Sequence, residues 1–431
     1  MCPGENGRRD ESNGTVLSKG SMVPFFIFGK GEAEIQTFGR RVIYTSEKSI
    51  GPENIVSVLN SALPIHNKNK KEIDYLYRYY TGRQKILNRT KPIRPEICNK
   101  VVVNRAAEIV DFKTGYLLGE PMQYVARHAG EEIARKITQL NTYMQDADKA
   151  TFDSDLAFWF TVCGTAFRLV LPGKKDEGNV FRLSTVDPRR AFVVYSNDWE
   201  CNPLAAFICQ KERDGDVFTA YTNKWHFVIK KGEIVSKQQH TLGGIPIVEY
   251  PSNIARIGAF EQVITLLDAI NAVESNRMDG VEQFIQAIMV FENCEMDSEK
   301  LDELRAKGAI GVKGDPGQPA KVYYLNEQLD QTQTQVLIEN LYHEVLTIVG
   351  MPAQGGESNS TSDTGSAVIM RNGWQLAEAR AKQTELMFKR SERRFLKLAL
   401  HICRTYDVLD LQTSDVEQKF TRRNYADILT K

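Results

Sequence analysis

The sequence lacks the short motifs that mark most nucleotide-using and hydrolytic enzymes. There is no GxxxxGK[ST] to cradle phosphates, no GxGxxG after a strand, no GxSxG nucleophile elbow and no HExxH for zinc. The seven cysteines (Cys2, Cys98, Cys163, Cys201, Cys209, Cys294, Cys403) are scattered without a CxxC pair, so they read as reduced thiols and imply no metal site. The six histidines (His66, His128, His226, His240, His343, His401) are too widely spaced to suggest a ligand set. No run approaches the roughly 18 apolar residues of a membrane span, and the start MCPGENGRRDESNGT lacks the apolar stretch of a signal peptide. Net charge is missing too. Fifty-five basic residues balance 55 acidic ones, which argues against a protein that coats nucleic acid tightly.

What is present is long, charge-segregated and mostly helical at its C-terminal half. A chain of 431 residues with 42% hydrophobic residues supports two or three domains with real cores. Residues 366–409 contain no proline and repeat Ile369, Leu376, Leu386, Met387, Phe395, Leu398 and Ile402 at helical spacing. Between Arg371 and Arg404 there are nine basic residues (Arg371, Arg380, Lys382, Lys389, Arg390, Arg393, Arg394, Lys397, Arg404) against three acids (Glu378, Glu385, Glu392), a balance of +6. The helix-like run 327–349 carries Glu327, Asp330, Glu339 and Glu344 and no Lys or Arg, a balance of −4. The run 258–289 has Glu261, Asp268, Glu274, Asp279 and Glu282 against Arg277, again −4. A solvated helix face explains any one of these; several together point towards a polyanion.

The order of textures predicts an α+β chain. Residues 1–40 read as a partly disordered N-terminal arm. Residues 52–144 read as mainly helical, with Tyr75, Tyr77, Tyr79 and Tyr80 among cations. Those tyrosines suit a core edge better than base stacking. Short apolar runs from Phe158 to Tyr250, separated by Pro172-Gly173, Asp214-Gly215 and Gly243-Gly244, predict an antiparallel β region. The rod 258–289, a turn-rich excursion 290–325 holding a short helix and the strand AKVYYL, and the return 327–349 predict a helical hairpin with a projecting tip. A glycine- and serine-bearing loop, 351–365, then joins it to the basic helix.

In this order the sequence resembles the portal (head-to-tail connector) proteins of tailed bacteriophages, of the siphophage type. The resemblance is carried by YRYYTGRQKIL (77–87), VNRAAEIVDFKTGYLLGEP (103–121), STVDPRRAFVVYSND (184–198), the IPIVEYPSN segment and following helix (245–279), and MPAQGGESNSTSDTGSAVIMRN (351–372). It spans roughly residues 40–425. It implies a wing over 41–255, helical first and β later, stem helices over 256–289 and 326–350, and a clip over 290–325. It also implies a tunnel loop over 351–365 and a long helix, 366–409, returning to the wing. The family commonly continues into a helical crown; here the crown would be short or missing, with residues 410–431 as its remnant.

The resemblance further implies a non-enzymatic ring of about twelve subunits at one capsid vertex, with no metal and no cofactor. Double-stranded DNA would pass through it non-specifically during packaging and ejection. Partners would be the terminase large subunit, capsid and scaffolding proteins and a head-tail adaptor, in the virion and, during assembly, in the host bacterial cytoplasm. Tunnel-loop residues facing DNA would be Gln354, Asn359, Ser360, Thr361 and Ser362. Acids lining the channel would be Glu274, Asp279, Glu282, Glu339 and Glu344, where like charge keeps a duplex from sticking. Glu299, Asp302 and Arg305 of the clip would dock the motor. Two alternatives stay open: a metal-dependent, nuclease-like enzyme with carboxylates from the two acidic rods, and a head-completion adaptor ring.

Overall fold

The structure is a computed structural model that describes residues 39–174, 178–285, 288–293, 302, 319–325, 331–352 and 373–422. Its α+β body is built around two sheets. The larger holds β1 (Ile43–Thr45), β5 (Ala191–Ser196), β6 (Pro203–Glu212), β7 (Gly215–Tyr221), β8 (Trp225–Lys230) and β9 (Glu233–Gln239), in that spatial order. All neighbours are antiparallel except β1, which runs parallel to β5. The smaller sheet pairs β10 (Ile247–Pro251) with β3 (Thr165–Pro172) and β3 with β4 (Phe181–Val186).

Strand alternation explains why AFVVYS reads as one apolar run. Phe192 and Val194 face helix α1 (Ile55–Tyr80), packing with Ile55, Val58, Leu59 and Ala62. Val193 and Tyr195 point to the opposite face, against Phe167, Ile245 and Ile247. Strand β5 is therefore buried on both sides, as a central strand must be. The predicted antiparallel β region is present, with one correction. Residues Phe158–Cys163, read as the start of a strand, are the last turns of helix α4 (Lys149–Cys163). That helix is buried at Leu156, Ala157, Phe160, Thr161, Val162 and Cys163, so its apolar residues lie on several faces and leave no period to read.

Helix α4 packs with α2 (Arg105–Leu118), α3 (Glu131–Asp146) and the long helix α7 (Trp374–Thr405). Leu140, Leu156, Phe160, Phe388, Phe395 and Ala399 form the core between them and the smaller sheet. Inside this core sits a closed polar network. Arg168 bonds Asp153 and lies 3.4 Å from Glu392, Lys149 lies 3.0 Å from Glu392, and the hydroxyls of Tyr124 and Tyr250 donate to Glu392 at 2.5 and 2.6 Å. Two cations meet two carboxylates, so the group is neutral and α7 is locked to β3 and α4.

The four tyrosines of α1 are used internally. Tyr79 stacks on Phe260 and donates to Asp268 at 2.8 Å, Tyr77 stacks on Trp159 with Arg189 above it, and Tyr80 meets Phe158 edge-on. They form a core edge, as their spacing among amphipathic cations suggested. The C-terminal segment also joins the body: β13 (Val416–Lys419) pairs antiparallel with β2 (Gln123–Ala126), and Arg422 bridges Glu378 and Glu385 of α7. Residues 410–422, expected to be a crown remnant, are thus part of the folded body.

Candidate functional site

The acidic rods form an antiparallel hairpin shorter than their sequence runs. Helix α5 (Ile264–Ile285) ends before β11 (Ile288–Glu292), and α6 covers Gln331–Val349. At about 1.5 Å per residue these are rods of roughly 33 and 29 Å. The expected helix to Met289 stops early because Ile288, Val290 and Phe291 join a two-stranded ladder with β12 (Lys321–Leu325), the predicted strand of the tip. Helix α7 likewise ends at Thr405, where residues to Leu409 were expected to continue it. Near their base, Val263, Leu267 and Ile270 of α5 pack with Val345, Leu346 and Val349 of α6. Further out, Arg277 donates to Gln335 at 3.0 Å, which fixes the antiparallel sense.

One face of α5 is polar yet buried. Asn271, Ser275 and Asp279, four residues apart, accept the backbone N–H groups of Val103 (2.8 Å), Val101 (2.9 Å) and Asn99 (2.7 Å). Four helical residues advance about 6 Å and two extended residues about 6.7 Å, so the helix offers an extended strand a matching column of acceptors. Asp279 also receives Arg89 at 2.8 Å and Lys91 at 3.1 Å. Burial raises its carboxyl, but the Asn99 donors, Lys91 and Arg89 outweigh that and hold it below the usual carboxylate range. This corrects the expectation for Asp279: it is an internal anchor and presents no bare charge to a channel. No apolar-periodicity reading finds it; the signal was Asn, Ser and Asp at i, i+4 and i+8.

Of the other expected channel acids, Glu274 lies 3.5 Å from Arg277 and Glu282 accepts from Asn99 at 2.8 Å. Glu339 and Glu344 on α6 are exposed, Glu339 accepting from Gln335 at 2.6 Å. Apolar side chains are exposed beside them: Val336 (50%), Leu337 (47%) and Ile348 on α6, and Met278 and Val281 on α5.

The base of α6 is capped with care. Gly350 takes a left-handed φ of +69°, Met351 N–H bonds Leu346 O at 2.9 Å, and Lys113 Nζ donates to Val349 O at 2.7 Å. Burial, with the Arg380 charge nearby, pulls the Lys113 ammonium down to about 8. Gln354, Asn359, Ser360, Thr361 and Ser362 lie outside the described residues, as do Glu299 and Arg305; Asp302 is described and exposed. Among the described residues, no group of His, Cys, Asp and Glu is arranged to hold a metal ion. No described helix is long and apolar enough to cross a membrane.

No curated protein matches the chain. Residues 60–431, by contrast, match the family described as phage portal protein, SPP1 Gp6-like, so the match runs from within α1 through every strand of both sheets except β1, the hairpin and α7. A match over that share of the sequence, with which the α+β body agrees, establishes that the chain belongs to the phage portal protein family, a structural component of the phage capsid.

Proposed function

We propose that this chain forms a closed ring at one capsid vertex, through whose channel double-stranded DNA is driven in by a separate terminase and later leaves. The observation that carries this reading is the outer part of the α5–α6 hairpin. There Val336, Leu337, Met278 and Val281 stay exposed, although residues 89–103 cover the polar face of α5. Apolar side chains in that position need a neighbour, and identical neighbours related by rotation supply one through unlike faces. The acids Glu339 and Glu344 on the same rod suit a conduit, because like charge discourages a duplex from binding the wall. The β11–β12 ladder between the rods suits a clip that docks the terminase large subunit and afterwards a head-tail adaptor, while capsid and scaffolding proteins surround the ring.

Leu337→Glu tests this. The variant should fold with the melting temperature of the parent chain but lose ring assembly. Intact rings from a folded Leu337→Glu chain contradict the placement of the subunit contact. For docking, reversing Glu299, Asp302 and Arg305 should weaken terminase binding while rings persist; unchanged binding puts the dock elsewhere.

A further inference from the structure

The three acids of α7 all face the body and are neutralised there. Glu378 pairs with Arg422 at 3.0 Å, Glu385 with Lys389 at 2.6 Å and Arg422 at 2.8 Å, and Glu392 with Lys149 at 3.0 Å. Nearby Glu249 is likewise held by Arg256 at 2.6 Å. Four of the helix's own cations are left over. Arg390, Arg393, Arg394 and Lys397 make no hydrogen bond or ion pair through their side chains with any described residue, and all but the half-buried Arg394 are exposed. At about 100° per residue the four fall within an arc of about 100°, and they span about 10 Å of helix.

Their i,i+3 and i,i+4 neighbours along the stripe are each other: Arg390 with Arg393 and Arg394, Arg393 with Lys397. Such like-charge pairs weaken a helix, where the usual surface pattern alternates sign. Hollows flank the stripe on both sides. One of about 390 Å³ is bordered by Arg127, Lys389, Arg393, Thr413, Ser414 and Glu417, with Arg127 itself exposed and unpaired among the described residues. The other, about 160 Å³, is bordered by Arg394 and Lys397.

We propose that this stripe, with Arg127 beside it, is a contact surface for the phosphates of duplex DNA, separate from the acidic stem. Three of the four stripe residues are arginines, whose guanidinium fork fits phosphate oxygens two at a time. A duplex carries one charge per about 1.7 Å of axis, so a 10 Å stripe lies against roughly six phosphates and relieves its own repulsion on them. Glu249, Glu378, Glu385 and Glu392 are already engaged, and the one acid left at the border of the first hollow, Glu417, faces three cations there (Arg127, Lys389 and Arg393), which favours a ligand that brings its own negative charge. The inference rests on the portal reading only for taking that polyanion to be the packaged genome.

The test uses the full chain and a labelled duplex of about 30 base pairs, titrated between about 50 and 200 mM salt. Three phosphate contacts contribute about 2.7 to the slope of log K against log salt. Arg390→Gln/Arg393→Gln/Lys397→Gln should therefore flatten the slope by about that much, and the wild-type advantage should shrink about fortyfold across the range. The control Lys68→Gln/Lys71→Gln/Arg83→Gln removes three exposed cations elsewhere and should leave the slope unchanged. Equal effects of the two triples reduce the stripe to net charge and overturn the proposal. An unchanged slope with lost ring assembly assigns the stripe to a neighbouring subunit's acidic face, which also overturns it. Duplex binding by the stripe in a chain that never forms rings sinks the ring reading alone.

Discussion

The backbone N–H of Asn99 donates to Oδ1 of Asp279 at 2.7 Å, although 180 residues separate them in the chain. The same carboxylate takes the charges of Arg89 and Lys91 on its other oxygen, so a single side chain ties residues 89–99 to helix α5. Asp279→Asn leaves two cations facing a neutral amide and should cost about 3–5 kcal/mol, as breaking a buried pair does. Urea unfolding measures the loss, and hydrogen exchange should quicken at the amides of Asn99, Val101 and Val103. A cost within experimental error contradicts the anchoring role.

Glu392 holds α7 to the body through Lys149, Arg168 and two tyrosine hydroxyls. Burial raises its carboxyl, while the Lys149 and Arg168 charges and the tyrosine donors outweigh this and keep it below its ordinary value. A depressed carboxylate contributes stability that is present above its unfolded pKa and is lost as pH falls through the folded one. Glu392→Gln should lose about 3–5 kcal/mol at neutral pH and show a shallower acid limb than the parent. Parallel pH profiles for the two proteins contradict the pairing.

His66 works in the same pH direction by a different route. It is buried against Phe192, with ring centroids 4.5 Å apart, and burial together with Lys70 lowers its pKa to about 4. The unfolded chain, with an ordinary value near 6.5, binds the proton first, so stability falls as pH drops from about 6.5 towards 4. The full difference is on the order of 3 kcal/mol. His66→Phe should remove that part of the decline in a melting series; an unchanged decline places the proton uptake elsewhere.

Gly164 closes α4 with φ +84°, and an added Cβ would sit 1.9 Å from the carbonyl oxygen of Arg256. Gly164→Ala should cost about 3 kcal/mol or more, from the left-handed backbone and the forced shift of the 252–258 turn combined. Near-parent stability shows that the turn gives way freely.

The sequence made the class of fold, the β region, the helical hairpin and its strand-bearing tip readable, because each rests on period, turn residues or charge runs that survive without tertiary context. Phe158–Cys163 misled because a helix buried on several faces has no polar stripe to betray its period. The end of α5 misled because Gln286 and Ala287 suit a helix while the β-branched residues just beyond them answer to a partner strand some 30 residues on. At the candidate site the acids were visible as charge, but their fates were not. Asp279 and Glu344 look alike in sequence, yet one is enclosed by Asn99, Arg89 and Lys91 and the other is exposed on its rod. Only the fold brings residues 89–103 to α5 and makes that distinction.

Closure of these chains into a ring through the outer part of the α5–α6 hairpin is tested most directly by native mass measurement of the purified full chain. The expected result is an assembly of about twelve times the 48.8 kDa chain, or a neighbouring multiple when formed without the capsid, and its loss in Leu337→Glu. A stable monomer at micromolar concentration would contradict it.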